Sequence, residues 1–219
     1  MAKKSSIELS EPLLVKGLGL TRLRPNESHL QKLFNIEGLR RLDDTEKSLL
    51  TKVRLHLLDY ADSWNEEELK MQFISMIMFL ADFENPIRTY YDREISETVD
   101  GIYIHCEADM LLSKGIGDLI ETPYFFLHEY NAVRRPSEKK YTGDPVGQML
   151  GAMLIGQAKN NNGKPMYGCY VQGQFWFFSV LEGKQYVVSQ SLDASDEIMA
   201  ERLVLILKNL KKIILETLI

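Results

Sequence analysis

Apolar residues recur at every third or fourth position in three stretches of this chain, the spacing that places side chains on one face of a helix. These stretches predict helices over 45–62, from 65 to about 83, and from about 196 to the C-terminus. The residues expected to face a core are Leu50, Val53, Leu57 and Tyr60; then Leu69, Phe73, Ile74, Ile77 and Leu80; then Leu203, Leu207, Leu210 and Ile214.

A further helix is predicted after Asp144, which can cap it, with Pro145 in its first turn. Its apolar face carries small residues, so we expect it to approach a sheet closely. A short helix over 27–34 is also expected, so that residues 1–63 form a helical N-terminal extension on a core of residues 64–219, in a single compact domain.

Stretches rich in β-branched and aromatic residues predict strands. Asp100 and Gly101 tolerate positive φ and predict a tight hairpin turn between strands 94–99 and 102–111. Gly115 and Gly117 predict a loop over 113–122, ahead of an apolar strand that ends near Asn131. Three more strands are expected at 167–171, 175–181 and 186–189, the second of them central because it has four consecutive aromatic residues. The pattern as a whole is that of an α/β protein.

Composition narrows the class of protein without choosing a function. A net charge of −5 argues against a generally basic nucleic-acid-binding surface, although a local basic groove remains compatible with it. Cys106 and Cys169 fall in predicted strands and are expected to be buried and free. We expect no signal peptide, and the longest apolar run, 73–81, is too short to cross a bilayer. The prediction is therefore a cytoplasmic protein without a membrane partner.

Two carboxylates stand near the ends of neighbouring predicted strands. Asp109 follows the hairpin turn, and Glu129 caps the otherwise apolar face of its strand. If these strands pair, the two carboxylates meet at one edge of the sheet. Carboxylates beside an apolar core repel one another unless a proton or cation lies between them, and Mg²⁺ prefers oxygen ligands. The pattern therefore indicates a site for a divalent cation.

From Trp64 onward, a long helix, a hairpin strand from Gly101 to Asp109, a Glu-x-Asn strand and a Gln-bearing helix follow one another, and this order resembles the PD-(D/E)XK nuclease-like superfamily. The resemblance implies a mixed central β-sheet flanked by helices (restriction-endonuclease-like), and hydrolysis of DNA phosphodiesters with one or two Mg²⁺ or Mn²⁺ ions and no organic cofactor. It implies that Asp109 and Glu129 bind metal, and that Gln148 contacts the metal-bound water or the substrate backbone.

Two features of the family pattern have structural alternatives. Glu68 could be a third metal ligand, but Asn65-x-x-Glu68 also has the spacing of a capping box. Gln148 could equally be a surface residue or one bonded to backbone.

The family pattern has a Lys where this chain has Asn131, which is neutral. A relocated cation could come from Arg134, Arg135, Lys139, Lys140 or Lys159, which would otherwise form a solvated basic surface.

Three hypotheses follow. The first is a metal-dependent DNA nuclease, weakened by the loss of the motif Lys, with Asp109, Glu129, Asn131 and Gln148 in its active site. The second is a catalytically inactive protein of the same fold that binds nucleic acid or a protein partner, including a second copy of itself. The third is an unrelated α/β protein in which Glu129 pairs with Arg134 or Arg135.

Overall fold

The computed structural model describes residues 8–25, 29–131 and 144–218, without the side chains of residues 29, 125–131, 217 and 218. The helices are α1 (Glu11–Leu18), α2 (His29–Phe34), α3 (Asp44–Tyr60), α4 (Glu66–Leu69), α5 (Ser75–Ala81), α6 (Pro145–Asn160) and α7 (Glu197–Leu218). A 3₁₀ turn, Ala61–Ser63, follows α3, and a π-helical turn, Lys70–Ile74, joins α4 to α5. The strands are β1 (Thr21–Arg22), β2 (Arg88–Val99), β3 (Ile102–Ile116), β4 (Leu119–Asn131), β5 (Met166–Gln172), β6 (Phe175–Glu182), β7 (Gln185–Val188) and β8 (Leu192–Asp193).

The strands form a mixed sheet in the order β1-β7-β6-β5-β4-β3-β2, with β8 pairing to β6. The β4–β5 and β1–β7 pairs are parallel, and the other pairs are antiparallel. The long connection between β4 and β5 contains α6, as a parallel crossover requires. The expected α/β class with a mixed sheet flanked by helices is therefore confirmed.

Each face of the sheet is covered by its own apolar core. One, the α7-side core, contains residues of α2, α3, the helical segment 66–81 and α7, among them Leu33, Phe73, Ile77 and Leu207. The other, the α6-side core, contains residues of α1 and α6 together with Ile104, Ala108 and Leu111 of β3. Central β6 contributes Trp176 and Phe178 to the α7-side core, as its aromatic run predicted.

The predicted helix faces are largely confirmed. All of the apolar residues that were predicted to face the core in the helices after Asn65 and after Asp196 are buried. Tyr60 is an exception, with half of its surface exposed at the end of α3. In the part of the chain that the structure describes, no helix is both long enough and apolar enough to span a membrane.

One local prediction was wrong. Residues 113–122 form a hairpin rather than a loop, because β3 continues to Ile116 and β4 begins at Leu119. Register shifts beside Ser113 break the regular alternation there, which hid the strands from the pattern. The predicted close approach of α6 to the sheet is confirmed, because a Cβ on Gly168 of β5 would collide with Met153 of α6. Of the small residues of α6, Gly147 instead adjoins the N-terminal segment, where its Cβ would lie 2.5 Å from the carbonyl oxygen of Leu9.

Candidate functional site

Three acidic residues lie at neighbouring positions on adjacent strands: Asp92 on β2, Asp109 on β3 and Glu129 on β4. We call these three residues the carboxylate row. Between β2 and β3 the register passes from Tyr91–Met110 to Arg93–Ala108, leaving Asp92 opposite Asp109. Between β3 and β4 the pairing ends at Met110–His128, so Asp109 and Glu129 are the residues that adjoin this last pair. The backbone therefore has the arrangement that the two predicted strands required.

Asp92 has an unusual backbone conformation for a strand interior. Its φ is +50°, in the left-handed region that L-residues other than Asn and Asp rarely adopt. The regular alternation of side chains between the two faces of β2 is interrupted near Asp92. Tyr90 and Ile95 are an odd number of positions apart, yet both lie in the α6-side core. In β3, Ala108 and Leu111 share that core in the same way. Irregular strand backbone of this kind re-aims side chains and is frequent beside functional sites.

Lys70 enters this region from the π-helical turn. Among the side chains that the structure describes, it is the only buried charged one, with 8% of its surface exposed. Its Nζ donates hydrogen bonds to Oδ1 of Asp92 at 2.9 Å and to Oε1 of Glu67 at 3.3 Å. Burial disfavours the ammonium form, but the hydrogen bond to Asp92 and the negative charge of Asp109 outweigh it, so the pKa of Lys70 is raised. A protonated lysine therefore lies among the carboxylates.

The glutamates of α4 divide between two roles. Glu68 and Asn65 form a reciprocal capping box, in which the Glu68 carboxylate accepts the Asn65 backbone N–H at 2.7 Å. The structure thus favours the cap for Glu68 over the role of third metal ligand. Partial burial raises the pKa of Glu66, Lys70 opposes that increase, and the charges of Glu67 and Asp92 add to it.

The first turn of α6 lies near the same end of the sheet. Glu129 is the register partner of Tyr170 in the parallel β4–β5 pair. Burial raises the pKa of Tyr170 to about 12, and the carboxylate of Asp144, the cap of α6, contributes to that increase. Gln148 follows one turn later and is half-buried. Ligands of open α/β sheets bind at the carboxyl ends of parallel strands, which is where Glu129 and Asn131 stand.

Several predicted site residues fall outside the described part of the chain. The structure gives the backbone of Glu129 and Asn131 but not their side chains, and Arg134, Arg135, Lys139 and Lys140 are in the range 132–143. Lys159 is the remaining candidate for a relocated cation. Its Nζ lies 3.6 Å from Oε2 of Glu97, near the turn of the β2–β3 hairpin. The side chains that the structure describes, which do not include that of Glu129, contain no group of three potential metal ligands.

Sequence reasoning missed Asp92 and Lys70. The signal for Lys70 was present, because it precedes Phe73 and Ile74 by three and four positions and so interrupts the buried stripe of its helix. Asp92 could have been noticed as a residue type that is depleted in strands. Neither signal reveals that the two residues meet.

Comparison with known proteins does not assign a family. No protein-family model matches the chain, and no curated protein is significantly similar to it. The function is therefore inferred from the residues themselves.

Proposed function

We propose that this protein is a metal-dependent phosphodiester hydrolase acting on DNA, with Asp109 and Glu129 as ligands of Mg²⁺ or Mn²⁺. The observation that supports the proposal is the strand pairing: β3 pairs with β4 up to Met110–His128, so Asp109 and Glu129 both adjoin that last pair, at the carboxyl end of β4. Lys70 compensates part of the negative charge of the carboxylate row, and a divalent cation between Asp109 and Glu129 would compensate the rest. The resemblance to the PD-(D/E)XK superfamily supports the same assignment.

The donor set fits a hard divalent cation. Asp109 and Glu129 supply anionic oxygens, the preferred ligands of Mg²⁺, and Asp109 is half-buried in a strand that holds it in place. A metal bound there lowers the pKa of its water and stabilises negative charge on a phosphate. Gln148 on α6 would orient the water or the substrate backbone through its amide. Asp92 is already hydrogen-bonded to Lys70, so the metal would be held by the other carboxylates.

A second candidate function is binding without catalysis. Asn131 favours it, because the neutral amide cannot offset the charge that develops on a phosphate during hydrolysis. In this case the carboxylates would bind a metal, and the surface would bind nucleic acid or a protein without cleaving it.

The test combines Mn²⁺ titration by calorimetry with nicking of supercoiled plasmid DNA. Asp109→Asn keeps the size of the side chain but removes its charge, so we expect it to lose both Mn²⁺ binding and nicking. Asp118→Asn is the matched control, since Asp118 is fully exposed at the tip of the β3–β4 hairpin. We expect that variant to bind and nick like the wild type.

Other outcomes separate the candidates. Binding by the wild type without nicking would favour the inactive protein. No binding of Mn²⁺ or Mg²⁺ by the wild type would contradict a metal site at Asp109 and Glu129, and with it the hydrolase proposal.

A further inference from the structure

The site needs a positive charge that Asn131 does not provide. In phosphoryl chemistry a cation beside the reacting group offsets the negative charge that develops on the phosphate. The described cation next to the carboxylate row is Lys70, whose Nζ lies 2.9 Å from Oδ1 of Asp92, the residue opposite Asp109 in the register.

The location of Lys70 is a feature of its helix. A regular α-helix has 3.6 residues per turn, whereas the π-helical turn Lys70–Ile74 admits an extra residue. Phe73 and Ile74 in the same turn are both nearly fully buried, and so is Leu69 before it. Lys70 is therefore fixed against the sheet by apolar neighbours, and single π-helical turns occur frequently at functional sites.

The cost of burying this ammonium also argues for a role. A buried charge destabilises the fold unless it is paired, and replacing such a pair by apolar residues is often neutral or stabilising. Lys70 is paired with Asp92, but that residue adopts a left-handed conformation in mid-strand to meet it. Left-handed backbone in mid-strand of this kind is frequent at functional sites.

We propose that Lys70 supplies the positive charge of the active site, holding Asp92 beside Asp109 and taking the electrostatic role that Asn131 cannot fill. This inference rests on the proposed hydrolase function and assigns a positioning residue to it. Lys70 acts from the helical layer, and the polypeptide after β4 is not required to supply the charge.

Metal affinity separates this role from a structural one. An ammonium beside the carboxylates repels a divalent cation, so Lys70→Met should bind Mn²⁺ roughly 3- to 30-fold more tightly than the wild type. The same variant should lose on the order of 100-fold in the kcat for plasmid nicking, with little change in KM. Lys70→Arg keeps the charge in a different shape and should be intermediate in kcat.

Lys211→Met is the matched control. Lys211 is also a partly buried lysine paired with two carboxylates, those of Asp82 and Glu84, and those partners lie outside the strands. We expect this variant to bind Mn²⁺ and nick DNA like the wild type. If Lys70→Met does not fold, Lys70→Met/Asp92→Asn removes the charges of both partners, and we expect it to fold, bind Mn²⁺ and fail to nick.

Three results would overturn the inference. Nicking by a folded Lys70→Met variant at the wild-type rate would show that the charge is not needed. Loss of Mn²⁺ binding together with nicking in a folded variant would assign Lys70 a purely structural role. A wild type that neither binds Mn²⁺ nor nicks DNA would refute the hydrolase itself before any variant is compared, and the role of Lys70 would fall with it.

Discussion

At the scale of single residues, Asn160 joins the last turn of α6 to β4. Its Oδ1 accepts the backbone N–H of Tyr124, and its Nδ2 donates to the Tyr124 carbonyl, both at 2.6 Å. Tyr124 is buried, so these backbone groups have little access to water. The amide of Asn160 therefore fixes the strand that carries Glu129 against the helix that carries Gln148.

Asn160→Ala should lower the free energy of unfolding by about 1–3 kcal/mol, because it leaves a buried donor and acceptor unpaired. Asn162→Ala is the control, since its side chain accepts the Lys164 N–H in an exposed turn. We expect its effect to stay within about 0.5 kcal/mol. Urea denaturation of both variants measures the difference, and equal effects would contradict the structural role of Asn160.

At the carboxylate row, the sequence predicted the strands but not the contact between Lys70 and Asp92. The strands that carry Asp109 and Glu129 were predicted from their alternation and from the turn at Asp100-Gly101, and they do pair with one another. Lys70 and Asp92 were not predicted, since their meeting depends on a π-helical turn and on one left-handed φ. Irregular backbone of this kind has no period, so a pattern of apolar residues cannot predict it.

At the scale of elements, α6 packs closely against the segment that precedes α1. Three backbone atoms lie within 2.7 Å of a Cβ built on Gly147, namely Leu9 O, Ser10 Cα and Glu11 N. A Cβ on Gly151 would instead meet the end of the flexible Leu9 side chain, at 2.7 Å. The two glycines of one helix face thus differ in whether the obstacle can move.

Gly147→Ala should destabilise the protein by about 1–3 kcal/mol, since backbone must shift to admit the methyl group. In Gly151→Ala the better helix propensity of alanine, worth about 1 kcal/mol, offsets the cost of moving Leu9, so we expect little change. Thermal unfolding followed by circular dichroism compares the pair. A larger loss at Gly151 than at Gly147 would refute this account of the α1–α6 contact.

The contact between α3 and α7 depends on Glu46. Its Oε1 accepts hydrogen bonds from Lys208 at 2.8 Å and from Arg40 at 2.9 Å, while Oε2 accepts the Asp43 N–H in the capping box. Burial would raise the pKa of Glu46, but these hydrogen bonds and charges outweigh it and lower the pKa below its usual 4.5. A carboxyl with a lowered pKa stabilises the fold above its unfolded pKa and loses that contribution as the pH falls through the folded value.

Glu46→Gln keeps a side chain that can complete the capping box but removes the charge. We expect it to cost about 1–2 kcal/mol at pH 7, where Glu46 is ionised and bonded to Lys208. The difference from the wild type should shrink below about pH 4.5, where the carboxylate begins to protonate. Denaturation at pH 7 and pH 3 checks the sign. A difference that is constant with pH would mean that charge plays no part.

Elements with a strong period were predictable, and those without one were not. The stripe from Leu203 to Ile214 predicted α7, and the alternation after Gly101 predicted most of β3. The helix α1 was missed, because Pro12 and Gly17 read locally as turn residues although Pro is compatible with a first helical turn. The β3–β4 hairpin was missed because bulges displace its register.

At the scale of the whole molecule, the N-terminal residues belong to both cores of the sheet. Leu14 of α1 is fully buried in the α6-side core, and Leu33 of α2 is fully buried in the α7-side core. Between them β1 pairs in parallel with β7 at the edge of the sheet. The region up to residue 63 therefore shares its buried surface with the remainder of the chain, which makes independent folding of residues 64–219 unfavourable.

This arrangement predicts a single cooperative unfolding transition. Leu14→Ala should lower the free energy of unfolding by about 2–5 kcal/mol, because it leaves a cavity among fixed neighbours. In a Trp64→Phe background, which removes the other tryptophan, the fluorescence of Trp176 in central β6 should report the same shifted midpoint as circular dichroism, although α1 is at the other end of the sequence. Leu13→Ala changes the adjacent residue of α1, which is 42% exposed, and should have a much smaller effect. If the region up to residue 63 unfolded separately, Leu14→Ala would leave the Trp176 midpoint at its wild-type value and add an earlier transition by circular dichroism.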